Sequence, residues 1–190
     1  METIFCLIRH GQTDWNKNRI IQGRMNHPLN DIGRAQAMHT GNILKEHDPN
    51  WDLIISSPLD RAQETARIIA GIIGCKKDII IDNDIIEREF GEADQQKITD
   101  EIYAKIFKND IKGIEKSWDL EKRAIGAINK LEEKYPGKKI LLVTHSHFIK
   151  GLFVQLSPNF TYRTVFNNAG LNYVYLDNGK ITKFIANKEY

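Results

Sequence analysis

The chain has 190 residues, 41% of them hydrophobic and 27% charged, with a formal net charge of +2. That length suits one domain with a buried core, and residues 1–190 read as a single unit. The near-balance of charge excludes nucleic acid or a membrane surface as a partner held by bulk charge, and no apolar stretch approaches the roughly 18 residues of a membrane helix.

The chain opens Met-Glu-Thr-Ile-Phe-Cys-Leu-Ile, with neither a basic n-region nor a cleavage site, so it does not read as a signal peptide. Thr3 to Ile8 is predicted to be a buried strand. Cys6 and Cys75 are too few for a disulfide framework or a zinc cluster, and they read as free thiols of a cytoplasmic protein. Arg9-His10-Gly11 follows the strand directly. In open α/β sheets ligands sit beyond the carboxyl ends of strands. An arginine beside a histidine there can bind a phosphate and attack it, because neutral imidazole is nucleophilic near neutral pH. Gly11 lets the backbone turn and a substrate approach closely.

Asn30 or Asp31 opens a helix to about Glu46, and Leu53 to Ser56 is a second strand. Ser57-Pro58-Leu59-Asp60 has the pattern of a helix start, with Ser57 as cap, Pro58 first in the helix and Asp60 completing a capping box. Ala62, Ala66, Ile69 and Ile73 recur at helical spacing behind it. Arg61 falls in the first turn, where a cation is unfavourable unless an anion binds nearby. Ile79 to Ile81 is a third strand. Next come Glu87 and Glu89, either of which can protonate a leaving alkoxide; bound phosphate raises the pKa of a nearby glutamate and favours its acid form.

Ile98 to Phe107 is predicted helical, and residues 92–118 as a whole are expected to form a substrate-covering segment. Leu120, Ala124, Ala127, Leu131 and Tyr135 mark a helix that stops at Pro136-Gly137. Ile140 to Val143 is a fourth strand, apolar throughout as strands buried on both faces are. It runs into Thr144-His145-Ser146-His147, where a helix begins. His145 can donate a hydrogen bond to a phosphoryl oxygen. His-x-His is also a metal-ligand pair, yet no Asp or Glu at ligand spacing accompanies it, so no metal and no cofactor are expected. His147 reads as structural or as pocket lining. Tyr173 to Leu176 and Ile181 to Ala186 form a closing hairpin around Asp177-Asn178-Gly179. Strands alternating with helices imply α/β architecture with a largely parallel sheet.

Taken together and in order, these motifs resemble the histidine phosphatase superfamily, the phosphoglycerate-mutase-like proteins. Leu7-Ile8-Arg9-His10-Gly11-Gln12-Thr13 resembles its signature, and Ser56 to Ala62 its second arginine motif. Gln22-Gly23 and Pro28-Leu29-Asn30 are similar to its substrate loop and first helix. Glu87 to Gly91 is similar to its acid loop, and Thr144-His145 to its second histidine motif. The resemblance runs from Thr3 to about Leu176. It implies a three-layer α/β/α sandwich with a mostly parallel central sheet and an antiparallel edge strand. It also implies that His10 is transiently phosphorylated, that Arg9, Arg61 and His145 surround the phosphoryl group, and that Glu87 is the general acid. Asn16 and the Ser146 N–H would contact the phosphate, and Gln22 and Gly23 the rest of the substrate. The chain departs from the family's pattern after Gly91, where Glu92-Ala93-Asp94-Gln95-Gln96 replaces a Trp-Glu-Gly run, and after His145, where Ser146-His147 stands in place of glycine.

The stretch from Glu87 to His145 is shorter than the basic insertion with which mutases hold their substrate. A phosphatase resembling the α-ribazole and broad-specificity members is therefore the favoured reading, acting on a small-molecule phosphate ester. Phosphoglycerate mutase and an inactive phosphate-binding module are the alternatives. Trp15, Ile21, Phe148 and Ile149 are candidates for an apolar pocket wall, with Ile149 assigned to the core. The sequence carries no oligomer signal such as a heptad repeat.

Overall fold

The computed structural model describes residues 1–190. In chain order the elements are β1 (Thr3–Arg9), α1 (Asp14–Lys17), α2 (Asp31–His47), β2 (Leu53–Ser56), α3 (Asp60–Ile73), β3 (Ile80–Ile81), α4 (Asp100–Phe107), α5 (Ser117–Lys134), β4 (Lys139–Thr144), α6 (Ser146–Phe153), β5 (Leu171–Asp177) and β6 (Lys180–Lys188). The strands form one six-stranded sheet in the order β3-β2-β4-β1-β5-β6. β3, β2, β4 and β1 pair in parallel, whereas β5 and β6 are antiparallel. The expected antiparallel edge is therefore two strands wide. The hairpin turns through Asn178 and Gly179, both at positive φ, as a tight primed turn requires.

Alternation along β1 builds the layers. Phe5 and Leu7 point into a core with Ala124, Ile128, Phe148 and Leu152 of α5 and α6. Cys6 and Ile8 point to the opposite face and pack with Leu44, Ala62, Ala66 and Ile69 of α2 and α3. The sheet is thus buried on both sides, which explains why β1 and β4 read as continuous apolar runs. No helix is long and apolar enough to cross a membrane.

Register sets the site. Arg9 pairs with Thr144 and Ser56 with Val143 in adjacent parallel strands. The backbone continues this pattern past the strand ends, with His10 N–H donating to the Thr144 carbonyl at 3.0 Å and Ser57 N–H to the Val143 carbonyl at 3.0 Å. His10, His145 and Ser57 therefore emerge side by side at one edge of the sheet.

One helix start differs from expectation. Asn30 caps α2, its Oδ1 accepting from Gly33 N–H at 2.9 Å, but Ser57 does not cap α3. That helix begins at Asp60 after Leu59, with no side-chain cap and no capping box. The Ser57 hydroxyl is instead drawn to His145 Nε2 at 2.7 Å. The sequence pattern of a cap serves here to place a hydroxyl in the site.

Residues 92–118 do cover the site. Ala93, Ile106 and Ile114 pack with Ile21 and Phe90 in a small separate apolar cluster. Backbone bonds from Ile21 N–H to the Gln96 carbonyl (3.0 Å), from Gln95 N–H to the Ile21 carbonyl (2.9 Å) and from Ile98 N–H to the Arg19 carbonyl (2.7 Å) clamp this cover to the loop carrying Gln22 and Gly23. Buried Arg88 anchors its far end, donating to the Glu115 carbonyl at 2.9 Å and to Asn109 Oδ1 at 2.8 Å.

Candidate active site

Beyond the ends of β1 and β4 lies a cavity of about 260 Å³, lined by Arg9, His10, Asn16, Gln22, Gly23, Arg61, Glu87 and Ser146 among others. Eight of the nine residues singled out from sequence thus face one space. The ninth, His145, lies fully buried against His10, their ring centroids 5.2 Å apart.

The imidazole of His10 is held from both ends. Its Nδ1 lies 2.7 Å from the Gly11 carbonyl, an acceptor only, so Nδ1 carries the proton and Nε2 keeps its lone pair. Arg61 Nε donates to that lone pair at 3.1 Å. Burial, then the charges of Arg61 and Arg9, push the His10 pKa well below its usual value. The ring is therefore neutral and nucleophilic at Nε2. The loop beneath it is fixed by Thr65, whose hydroxyl accepts from Gly11 N–H at 3.0 Å, and by Asn168, whose amide donates to the His10 carbonyl at 2.8 Å. A Cβ on Gly11 would stand 2.4 Å from the Gly33 carbonyl oxygen. Close approach of this loop to α2 is what requires glycine at both positions.

Arg61 is fully enclosed, and besides His10 it donates to the Met25 carbonyl at 2.7 Å and the Gly23 carbonyl at 2.8 Å. It stitches the loop around Gln22 and Gly23 to the base of the site. Burial lowers its pKa to about 10, which still leaves it charged at neutral pH. Arg9 donates through Nη1 to the Phe166 carbonyl at 2.9 Å, while its Nε is shut off from solvent without a partner. His145 Nδ1 is likewise buried and unpartnered. These orphaned nitrogens are what an anion bound between the two arginines would satisfy.

Glu87 resolves the choice between acids. Its Oε1 accepts from Arg88 N–H at 2.9 Å and His147 N–H at 3.1 Å, and its side chain lines the cavity. Burial raises its pKa, only partly offset by the Arg88 N–H and by Arg61 and Arg9. Desolvation thus favours the acid form before any phosphate arrives. Glu89 faces away, toward Arg24 and the N–H of Gly91. Asn16 uses its Oδ1 to accept from Thr13, and Gln22 uses its Oε1 to accept from the Thr13 hydroxyl. Each is left with an amide nitrogen to offer. Gly23 adopts φ +49° with its Cα against the Asp94 carboxylate, where a Cβ would stand 2.1 Å from oxygen.

The chain matches the histidine phosphatase superfamily (branch 1) over residues 5–187. The chain belongs to this superfamily. It is 37% identical over 155 residues to an uncharacterized phosphatase, PhoE, of Bacillus subtilis, covering 82% of this chain and 78% of that one. It is 30% identical over 190 residues to a metal-independent phosphoserine phosphatase of Arabidopsis thaliana, covering 94% and 78%. Among solved structures, a mutant phosphoserine phosphatase of Entamoeba histolytica in complex with phosphoserine superposes with a TM-score of 0.79, at 26% identity and 96% coverage of each chain. No cluster of His, Cys, Asp or Glu in the chain has the geometry to hold a metal ion.

The apolar wall differs from expectation. Ile21 lines the cavity, but Phe148 lies in the core beside Ile149, and Trp15 stacks on His27 at 3.7 Å, outside the lining. Ile20, Phe90, Ile98, Tyr103, Ile106, Val165 and Phe166 form the wall instead. Several come from the cover, whose position over the site no local pattern encodes. Lys150 also lines the cavity and was not singled out. A lysine three residues after His147 within the apolar run Phe148-Ile149-Lys150-Gly151-Leu152-Phe153 is the signal that could have found it.

Proposed function

We propose that this member of the superfamily is a metal-independent phosphomonoester hydrolase working through a phosphohistidine on His10 Nε2. The observation that carries the reading is the fixed tautomer of His10, which turns a neutral, unprotonated Nε2 toward Arg61 in the same cavity as the acid-form Glu87. A substrate phosphate entering between Arg9 and Arg61 takes over as the acceptor for Arg61, releasing the Nε2 lone pair. Nε2 then attacks phosphorus in line with the ester oxygen. The phosphorus–oxygen bond breaks, and the leaving alkoxide takes the proton of Glu87. Glu87, now a carboxylate, removes a proton from water, whose oxygen attacks the phosphohistidine. Inorganic phosphate leaves, and both His10 and Glu87 return to their starting states.

Charge accumulates on the equatorial phosphoryl oxygens in such transfers. Arg9, Arg61, His145, the Asn16 amide and the Ser146 N–H are the donors assigned to them, and losing one such donor costs on the order of 10²–10³ in rate. Gln22 and Gly23 contact the remainder of the substrate, a small organic phosphate. The working compartment in this reading is the cytoplasm, supported by the two unpaired cysteines.

The test is phosphate release from para-nitrophenyl phosphate with EDTA present. Wild-type enzyme should turn over, His10→Ala should not, and acid-labile phosphate should be trapped on the wild-type protein alone. Turnover by His10→Ala, or loss of activity in EDTA, would refute the reading. Conversion of 3-phosphoglycerate without phosphate release would make the protein a mutase instead.

A further inference from the structure

Resting on the hydrolase reading above, the cavity also specifies what the leaving alcohol carries. Lys150 is 8% exposed, and its Nζ donates to the Tyr162 carbonyl at 2.7 Å. It forms no ion pair with any carboxylate, so two of its N–H bonds have no protein acceptor. A buried ammonium lacking a counter-charge is costly unless a ligand supplies one. One turn away on the same face of α6, His147 also lines the cavity, and its Nδ1 is shut off from solvent without a partner. Phe90 and Tyr162 hold its ring, at centroid distances of 4.9 and 5.7 Å.

Charge counting leads to the same place. The lining holds three cations, Arg9, Arg61 and Lys150, and one acid, Glu87. With Glu87 protonated to act as the acid, a phosphate dianion balances two of those cations and leaves the third unmatched. The remaining wall is apolar: Ile20, Ile98, Ile106 and Val165. It offers no second carboxylate to an ammonium group.

We infer that Lys150 and His147 form a subsite for a carboxylate on the leaving alcohol, so that the preferred substrate is the phosphate monoester of a short hydroxy acid lacking an amino group. Lys150 supplies the charge and the unpartnered ring nitrogen of His147 a neutral hydrogen bond. The phosphate is left to the two arginines.

Three esters of one chain length isolate the groups involved: the phosphate ester of 3-hydroxypropionate, propyl phosphate and O-phosphoserine. In wild-type enzyme kcat/KM should be highest for the hydroxy-acid ester. In Lys150→Met its advantage over propyl phosphate should shrink by about 10- to 100-fold, the worth of one hydrogen bond to a charged group. Lys150→Arg should restore part of it. Equal losses on both esters would mean that Lys150 serves the phosphoryl group or merely tethers Tyr162, and would overturn the inference. A wild-type preference for propyl phosphate, or for phosphoserine, would overturn it as well. Activity on para-nitrophenyl phosphate alone would reject the subsite and keep the hydrolase reading, whereas silence on every ester would end both.

Discussion

Replacing Glu87 by glutamine separates its role as an acid from its role in the fold. Glutamine is isosteric and keeps an oxygen to accept the N–H groups of Arg88 and His147, at 2.9 and 3.1 Å in the native protein. Its amide nitrogen replaces a carboxyl oxygen that accepts no protein hydrogen bond. The change should therefore move stability by no more than about 1 kcal/mol. What it removes is the proton. A positioned general acid contributes about 10²–10⁴ in rate, or roughly 3–5 kcal/mol of barrier. That contribution depends on the leaving group: a propyl alkoxide needs the proton, and a para-nitrophenolate hardly does. The expectation for Glu87→Gln is a fall in kcat/KM of about 10²–10⁴ on propyl phosphate but within about tenfold on para-nitrophenyl phosphate. Because the same carboxylate activates water, the variant should release one equivalent of nitrophenol in a burst and then stall as phosphoenzyme. Stopped-flow absorbance and a kcat/KM series across leaving groups give both readouts. A loss of the same size on every ester would refute the acid role, and a larger loss in Glu89→Gln would move that role to the neighbouring residue.

Two further outcomes follow from packing and titration. In α2, Gly33→Ala places a Cβ 2.1 Å from the Gln12 carbonyl oxygen, so it should lower stability by about 1–3 kcal/mol and reduce kcat by shifting the loop under His10. Gly71→Ala in α3 meets nothing within 4 Å and should raise stability by about 0.5–1 kcal/mol; urea unfolding of both checks the pair, and equal signs would contradict the steric account. Burial holds His10 well below its usual pKa and Glu87 above its own. Lowering the pH below neutrality therefore leaves the nucleophile unprotonated and the acid protonated, whereas raising it through the Glu87 pKa removes the acid. The kcat/KM profile on an alkyl phosphate should favour acid pH and lose its alkaline limb in Glu87→Gln.

Much of this protein was readable residue by residue. Continuous apolar runs gave β1 and β4, helical spacing gave α3 and α5, and Asp177-Asn178-Gly179 gave the hairpin. Each of these signals is local, set by backbone preference and by which faces are buried. The site motifs were also local, because each sits where a strand ends, and chain order alone lined up Arg9-His10, Arg61, Glu87 and His145. Three features could not be read this way. Ser57 has the sequence of a helix cap but bonds to His145, 88 residues away, because parallel register brings the ends of β2 and β4 together. Glu87 and Glu89 are equivalent in sequence, and only the fold buries one in the cavity and turns the other toward Arg24. Lys150 and the wall from the cover gain their meaning from contacts between distant segments. The sequence by itself determined the elements and the reactive groups; the tertiary structure decided which groups share a cavity, since burial and desolvation belong to the packed chain and not to any stretch of it.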